Sequence, residues 1–182
     1  MAWVVEVVTI RLGGGDPLRA LYLSGHNDAG EARAAVTRFV NAIEGDNVGT
    51  AQMVSDQAAN ALGVPPDGVI GLLAALAPKT KYTFYINGCL KEFLRADAAS
   101  GNGRNHLVVQ ESQTDITWSL VVQELPRHPI TRDFLDADVV ESYVGRQVRV
   151  MVEPISACAE AAVNNGGIDY VQEASLLTLC PS

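Results

Sequence analysis

Three side chains near the end of a predicted strand are of the types that form a hydrolytic triad. Ser24, His26 and Asp28 could supply a nucleophile, a general base and a carboxylate that orients the base, the combination that performs acyl transfer. A triad requires the three groups to converge in space, whereas these residues alternate across the junction between a strand and a helix. We therefore expect Asp28 to cap the following helix and His26 to be a loop residue without a catalytic role.

Cys89 is a second candidate, because a thiol at the start of a helix can be activated as a nucleophile. It follows a turn predicted at Asn87-Gly88 and precedes a helix predicted over residues 90–96. No histidine or asparagine is tied to it by the sequence, which favours an inert thiol. Cys158 and Cys180 add no zinc-site spacing, so two alternatives stay open, three buried thiols or one disulfide with a free thiol.

Two pairs of carboxylates have the composition that acid–base catalysis requires. Asp136 is close in sequence to Asp138, and Glu111 is close to Asp115. Two carboxyl groups facing one substrate can serve as general acid and base or nucleophile. Both pairs fall on predicted surface elements, where we expect the carboxylates to be solvated rather than catalytic.

The sequence predicts neither a metal site nor a phosphate site. His106 and His128 are too isolated along the chain to form a ligand set. Residues 13–16 form a glycine-rich turn that lacks the spacing and the lysine of a phosphate-binding loop. This turn also leads into a strand, so no helix N-terminus would face an anion. We therefore predict no catalytic, cofactor-binding or metal-binding residues.

The composition is that of a compact, folded and acidic chain. Of its 182 residues, 48% are hydrophobic and 19% are charged, which excludes a disordered chain. The net charge of −8 argues against direct nucleic-acid binding, which depends on basic side chains that neutralise phosphates. The densest basic positions are only two pairs, Lys79 with Lys81 and Arg146 with Arg149.

The acidic side chains are concentrated at one end of the chain. Residues 133–182 carry eight acidic and two basic side chains, a net charge of −6. Such a region is either a solvated face or a surface that binds a basic partner. No apolar run reaches the length of about 18 residues that a membrane-spanning helix needs, and residues 1–12 lack the pattern of a signal peptide. We expect synthesis in the cytoplasm, no membrane span and an undetermined final location, with the virion as one candidate.

The first 55 residues predict the order strand, strand, helix, strand. Residues 2–11 are apolar on both faces, as in a buried strand, and residues 18–24 form a hairpin with them. Asp28 is placed as an N-cap with Glu31 three positions later. Apolar residues at helical spacing then extend to Ile43, before a stop at Gly45 and a strand over residues 48–54.

The remaining chain predicts further short helices and strands. We expect helices over the ranges 57–62, 68–76 (capped by Asp67 and ended by Pro78), 90–96, 133–143 and 155–163. We expect strands over the ranges 82–86, 106–111, 116–124, 147–152 and 168–179, the second and third forming a hairpin after a polar loop at 100–105. The pattern predicts an α+β fold with a mixed, largely antiparallel sheet and three to five short helices. We interpret residues 1–182 as a single domain with a possible sub-boundary near residues 60–68.

Residues 7–57 resemble a module of phage tail and virion structural proteins. In that module a short hairpin is followed by a capped, alanine-rich helix and a strand, and here the helix and strand read EARAAVTRFVNAIEGDNVGTAQMV. The resemblance is at the level of the fold and implies no catalytic residues. It implies a structural subunit of an assembly.

The sequence therefore leads to one favoured function and two alternatives. The favoured function is a non-catalytic subunit of a large homomeric assembly, a virion, tail or tube component whose partners are copies of itself and other assembly proteins. The alternatives are a small enzyme with a dispersed site around His26, Asp28 and Cys89, and an acidic binding or adaptor module. Within an assembly, we expect the first strand, the last strand and the loop at residues 100–105 to make the contacts.

Overall fold

A computed structural model describes residues 1–10, 15–96, 103–155 and 160–182. These residues form ten strands and four short helices, which confirms the predicted α+β class with mostly antiparallel strands. The strands are β1 (Ala2–Thr9), β2 (Leu18–Ser24), β3 (Asn47–Val54), β4 (Val69–Gly71), β5 (Phe84–Leu94), β6 (Asn105–Glu111), β7 (Ile116–Val122), β8 (Gln147–Pro154), β9 (Glu160–Asn164) and β10 (Gly167–Pro181). The helices are α1 (Ala29–Phe39), α2 (Asp56–Ala61), α3 (Leu72–Thr80) and α4 (Ala137–Glu141).

The chain divides into two compact units. Unit 1 comprises Met1–Ala75 with Val163–Ile168, and unit 2 comprises Leu76–Ala162 with Asp169–Ser182. The division after Ala75 lies beyond the sub-boundary that the sequence suggested near residues 60–68.

Unit 1 contains a four-stranded sheet in the order β3-β1-β2-β4. The predicted hairpin is present, with β1 antiparallel to β2 and Trp3 opposite Ser24. β1 is buried on both faces, as its apolar pattern predicted, since Val4 and Val5 point in opposite directions and both are buried. Helix α1 covers one face through a cluster in which Val5 packs with Ala32 and Val36.

Helix α1 begins where the sequence placed its cap and ends earlier than expected. One Asp28 side-chain oxygen accepts hydrogen bonds from the amides of Gly30 at 2.7 Å and Glu31 at 3.1 Å. The last helical residue is Phe39, although the apolar spacing continues to Ile43. Both of these side chains are more than half exposed, so the end of the apolar stripe lies outside the core.

Unit 2 is built around a closed barrel. Its strand order is β7-β6-β5-β8-β10, and β7 also pairs with β10, which closes the ring. β5, β6 and β7 are consecutive antiparallel strands, and β8 returns through a long connection containing α4 to lie beside β5. This return of the fourth strand beside the first is a Greek key. Five-stranded Greek-key barrels are the architecture of the OB-fold, which hosts many functions.

The predicted turn at Asn87-Gly88 and the helix over residues 90–96 are wrong. Residues 87–94 belong to the single strand β5, which has a β-bulge between Leu90 and Glu92. Gly88 is needed there because a Cβ atom at this position would lie 2.2 Å from the main-chain oxygen of Gln110 on β6. The glycine marks a close approach of two strands rather than a turn.

Three other element predictions are also corrected. Residues 69–71 form strand β4, and α3 follows over Leu72–Thr80 without ending at Pro78. Residues 160–163, predicted as the end of a helix, belong to β9, while residues 156–159 lie outside the described part of the chain. The helix expected over residues 133–143 is limited to α4, because Asp133 and Phe134 fold back on Pro126 to Arg132.

The first and last strands are not sheet edges, contrary to their predicted role in strand addition. β1 lies between β2 and β3, and β10 pairs with β7, β8 and β9. The backbone N–H and C=O groups of an internal strand are already hydrogen-bonded to its neighbours, so neither strand can add a partner strand. The outermost strand of the unit 1 sheet on the β1 side is β3.

Candidate functional site

The predicted triad residues form a local structural arrangement. The Ser24 hydroxyl lies 2.9 Å from Nδ1 of His26, so two of the three groups do meet. Ser24 is completely buried, however, and the Asp28 carboxylate is bonded to amides at the start of α1 rather than to the imidazole. A buried hydroxyl without an orienting carboxylate does not present a nucleophile to a substrate.

A second serine–histidine pair, which sequence reasoning missed, lies on strands β6 and β7. Nε2 of His106 is 2.5 Å from the hydroxyl of Ser119, and the two residues occupy diagonal positions on the outward face of the hairpin. Within the described part of the chain no carboxylate bonds to His106, so the pair lacks the third member of a triad. The only sequence feature that could have indicated this pair is the alternation of apolar and polar residues in the two strands, which places both side chains on the outward face.

The candidate cysteine and carboxylate sites are not assembled by the fold. Cys89 lies in the middle of β5, where its half-buried thiol donates a hydrogen bond to the Leu90 main-chain oxygen at 3.9 Å. Cys180 is also half-buried and free, and Cys158 lies outside the described residues. Asp136 and Asp138 are at the start of α4. Among residues 1–10, 15–96, 103–155 and 160–182, no group of three acidic, histidine or cysteine side chains could hold a metal ion.

One cavity among the described residues of unit 2 has aromatic walls. It has a volume of about 280 Å³. Its lining residues come from α3, β5, β6 and β7: Leu76, Phe84, Tyr85, Ile86, Glu111, Ile116 and Trp118. Glu111 is the one acidic residue of this lining, and its carboxylate accepts a hydrogen bond from Nε1 of Trp118 at 3.1 Å.

The second cavity is larger and more polar. It has a volume of about 370 Å³ and lies where the start of β6, the end of β7 and the middle of β10 meet. An ion pair between Arg104 and Glu173, with a nitrogen–oxygen distance of 2.5 Å, forms part of its wall. Glu124 lies in the same wall and pairs with Arg127 at 3.4 Å. Its charged groups thus already have partners.

Strand β3 presents the most prominent unpaired sheet edge. It has eight residues, whereas the opposite edge strand β4 has three and the edge strand β9 has five. Its sequence contains no charged residue and no proline, the two features that most often protect an edge from pairing. The one protective feature is a register shift against β1, between Val5 and Val7.

Comparison with protein-family models, with curated proteins and with solved structures gives no significant match. In the part of the chain that the structure describes, no helix is long and apolar enough to cross a membrane.

Proposed function

We propose that this chain is a structural subunit of a homomeric assembly, a virion, tail or tube component, and that copies associate through the β3 edge. The observation that carries the proposal is an edge of eight residues without lysine, proline or any charge. An antiparallel or parallel partner strand would pair with the outward backbone groups of β3 and extend the sheet. Natural edge strands that must stay free are shorter, charged or interrupted.

Exposed apolar side chains on the α1 side of the sheet support the same surface. Met53 lies opposite Trp3, which packs against the α1 core, so Met53 also points to the α1 side. Leu18 and Tyr22 are four residues apart on β2, so their side chains point to the same face of the sheet. The Tyr22 ring contacts the Phe39 ring of α1 at 6.0 Å between centroids. Leu18, Phe39 and Met53 are each about half exposed or more. Of these three, only Met53 lies on β3 itself, since Leu18 is on β2 and Phe39 contacts Tyr22 of β2. An exposed apolar side chain on a free edge adds buried area to backbone pairing.

The experiment places lysine on the edge without disturbing the core. Gln52 and Met53 are both exposed, so the double variant Gln52→Lys with Met53→Lys should fold normally. The two ammonium groups would have to be desolvated or brought together across a β3–β3 contact, so we expect the variant to sediment as a monomer. The wild-type chain should sediment as an oligomer under the same conditions.

A matched variant separates the edge from a general effect of charge. Gln113→Lys with Ile130→Lys replaces a glutamine and a large apolar residue at exposed positions of unit 2 and changes the net charge equally. This control should associate like the wild type. If both double variants lose association equally, or if neither does, the β3 edge is not the contact.

A further inference from the structure

The aromatic cavity of the barrel has the chemistry of a binding site for a small organic cation. We propose that it binds a ligand in which an aromatic ring carries a short chain ending in an ammonium group. All lining residues belong to unit 2, so this proposal does not depend on assembly through β3.

Aromatic side chains supply the apolar part of the site. Phe84 lies 5.1 Å from Trp118 between ring centroids, and Trp118 lies 5.5 Å from Tyr170. Trp118 is almost completely buried, so half-buried Phe84 and exposed Tyr85 are the rings that a ligand can reach. Aromatic rings attract cations as well as apolar groups, and the Tyr85 ring already contacts the Arg149 guanidinium at 4.7 Å.

Glu111 supplies the charge that selects a cation. Glu111 lies on the same face of β6 as the buried residues Leu107 and Val109, so its side chain points towards the barrel interior. Trp118 fixes one carboxylate oxygen by its 3.1 Å hydrogen bond, and the other oxygen has no partner among the described residues. A fixed, half-buried carboxylate beside aromatic faces can accept a hydrogen bond from an ammonium group with little reorganisation.

The cavity size limits the ligand to a small molecule. Its volume of about 280 Å³ is just below the range of roughly 300–1,000 Å³ that is common for ligand pockets. A single ring with a two-carbon chain fits this space. A wall of three aliphatic and three aromatic side chains with one carboxylate favours an apolar body over a sugar or a phosphate.

The test uses three probes with the same ring and different end groups. Phenethylamine, 2-phenylethanol and 3-phenylpropionate are titrated into the protein while the indole N–H resonance of Trp118 is followed by NMR. We expect phenethylamine to shift this resonance in a saturable manner and to bind about tenfold more tightly than the alcohol. The acid should not bind, because its carboxylate would be repelled by Glu111. Absence of a shift with phenethylamine, or equal binding of the acid, would overturn the proposal.

Two variants assign the selectivity to Glu111 and the affinity to the aromatic wall. Glu111→Gln keeps an acceptor for Trp118 and should abolish the preference for the amine over the alcohol, whereas the equally charged control Glu124→Gln should retain it. Tyr85→Ala removes a half-exposed wall residue, so the fold is retained and both neutral and cationic probes should bind more weakly. A preference for the amine that survives Glu111→Gln would refute the role of the carboxylate.

Discussion

Gly88 determines how closely β5 and β6 approach each other in the barrel. A Cβ atom at this position would lie 2.2 Å from the Gln110 oxygen and 2.8 Å from its carbonyl carbon, well inside contact distance. Both atoms are main-chain atoms that are held in the sheet ladder, so they cannot move aside without shifting a strand. The residue pair Asn87-Gly88 has the composition of a hairpin turn, and only the distant strand β6 reveals its real role.

We expect Gly88→Ala to destabilise the protein by about 2 kcal/mol, because the added methyl group overpacks the strand pair. Urea unfolding followed by far-UV circular dichroism measures this change. Gly103→Ala is the matched control, since nothing lies within 4 Å of a Cβ atom there. Equal stability of the two variants would show that β5 and β6 can separate at little cost.

The elements with local signals were predictable from the sequence, and those with long-range causes were not. The hairpin of β1 and β2 and the start of α1 follow from alternation and from the cap at Asp28, which all lie within a few residues. The sequence predicts helix for the second half of β5, from residue 90, and for residues 160–163 of β9, because leucine-rich and alanine-rich segments favour helix. Pairing with β6 or β10 overrides that preference.

Asp28 should contribute to the stability of α1 through its cap. Asp28→Ala removes the acceptor for the Gly30 and Glu31 amides, and we expect a loss of about 1 kcal/mol in the free energy of unfolding. Asp28→Asn keeps an oxygen in the same position and should cost much less. Urea denaturation of both variants checks this, and equal losses would mean that the charge, rather than the hydrogen bonds, stabilises the helix start.

The candidate cavity could not be predicted from the sequence for a related reason. Phe84, Glu111 and Trp118 come from β5, β6 and β7, which are neighbours in one sheet. Glu111 and Trp118 lie diagonally on the predicted hairpin, whereas Phe84 joins them only through the pairing of β5 with β6. The sequence did suggest a Glu111 pair, but with Asp115, which lies in a turn with a positive φ of 53°. Its actual partner is Trp118 on the following strand. Sites that are built from several strands require the topology before the residues can be grouped.

At the scale of the whole molecule, the net charge of −8 bears on how the chain can associate. Copies of an acidic protein repel each other, and added salt screens this repulsion. Association through backbone pairing and apolar contacts at β3 should therefore strengthen as salt is raised. An acidic adaptor that binds a basic partner would show the opposite dependence, because salt weakens attraction between unlike charges.

Sedimentation velocity of the wild-type chain at low and high salt is the most direct test of assembly. We expect species heavier than the 19.4 kDa chain at micromolar concentrations, with their share rising between about 50 and about 500 mM NaCl. A single species of 19.4 kDa at every concentration and salt level would contradict this expectation.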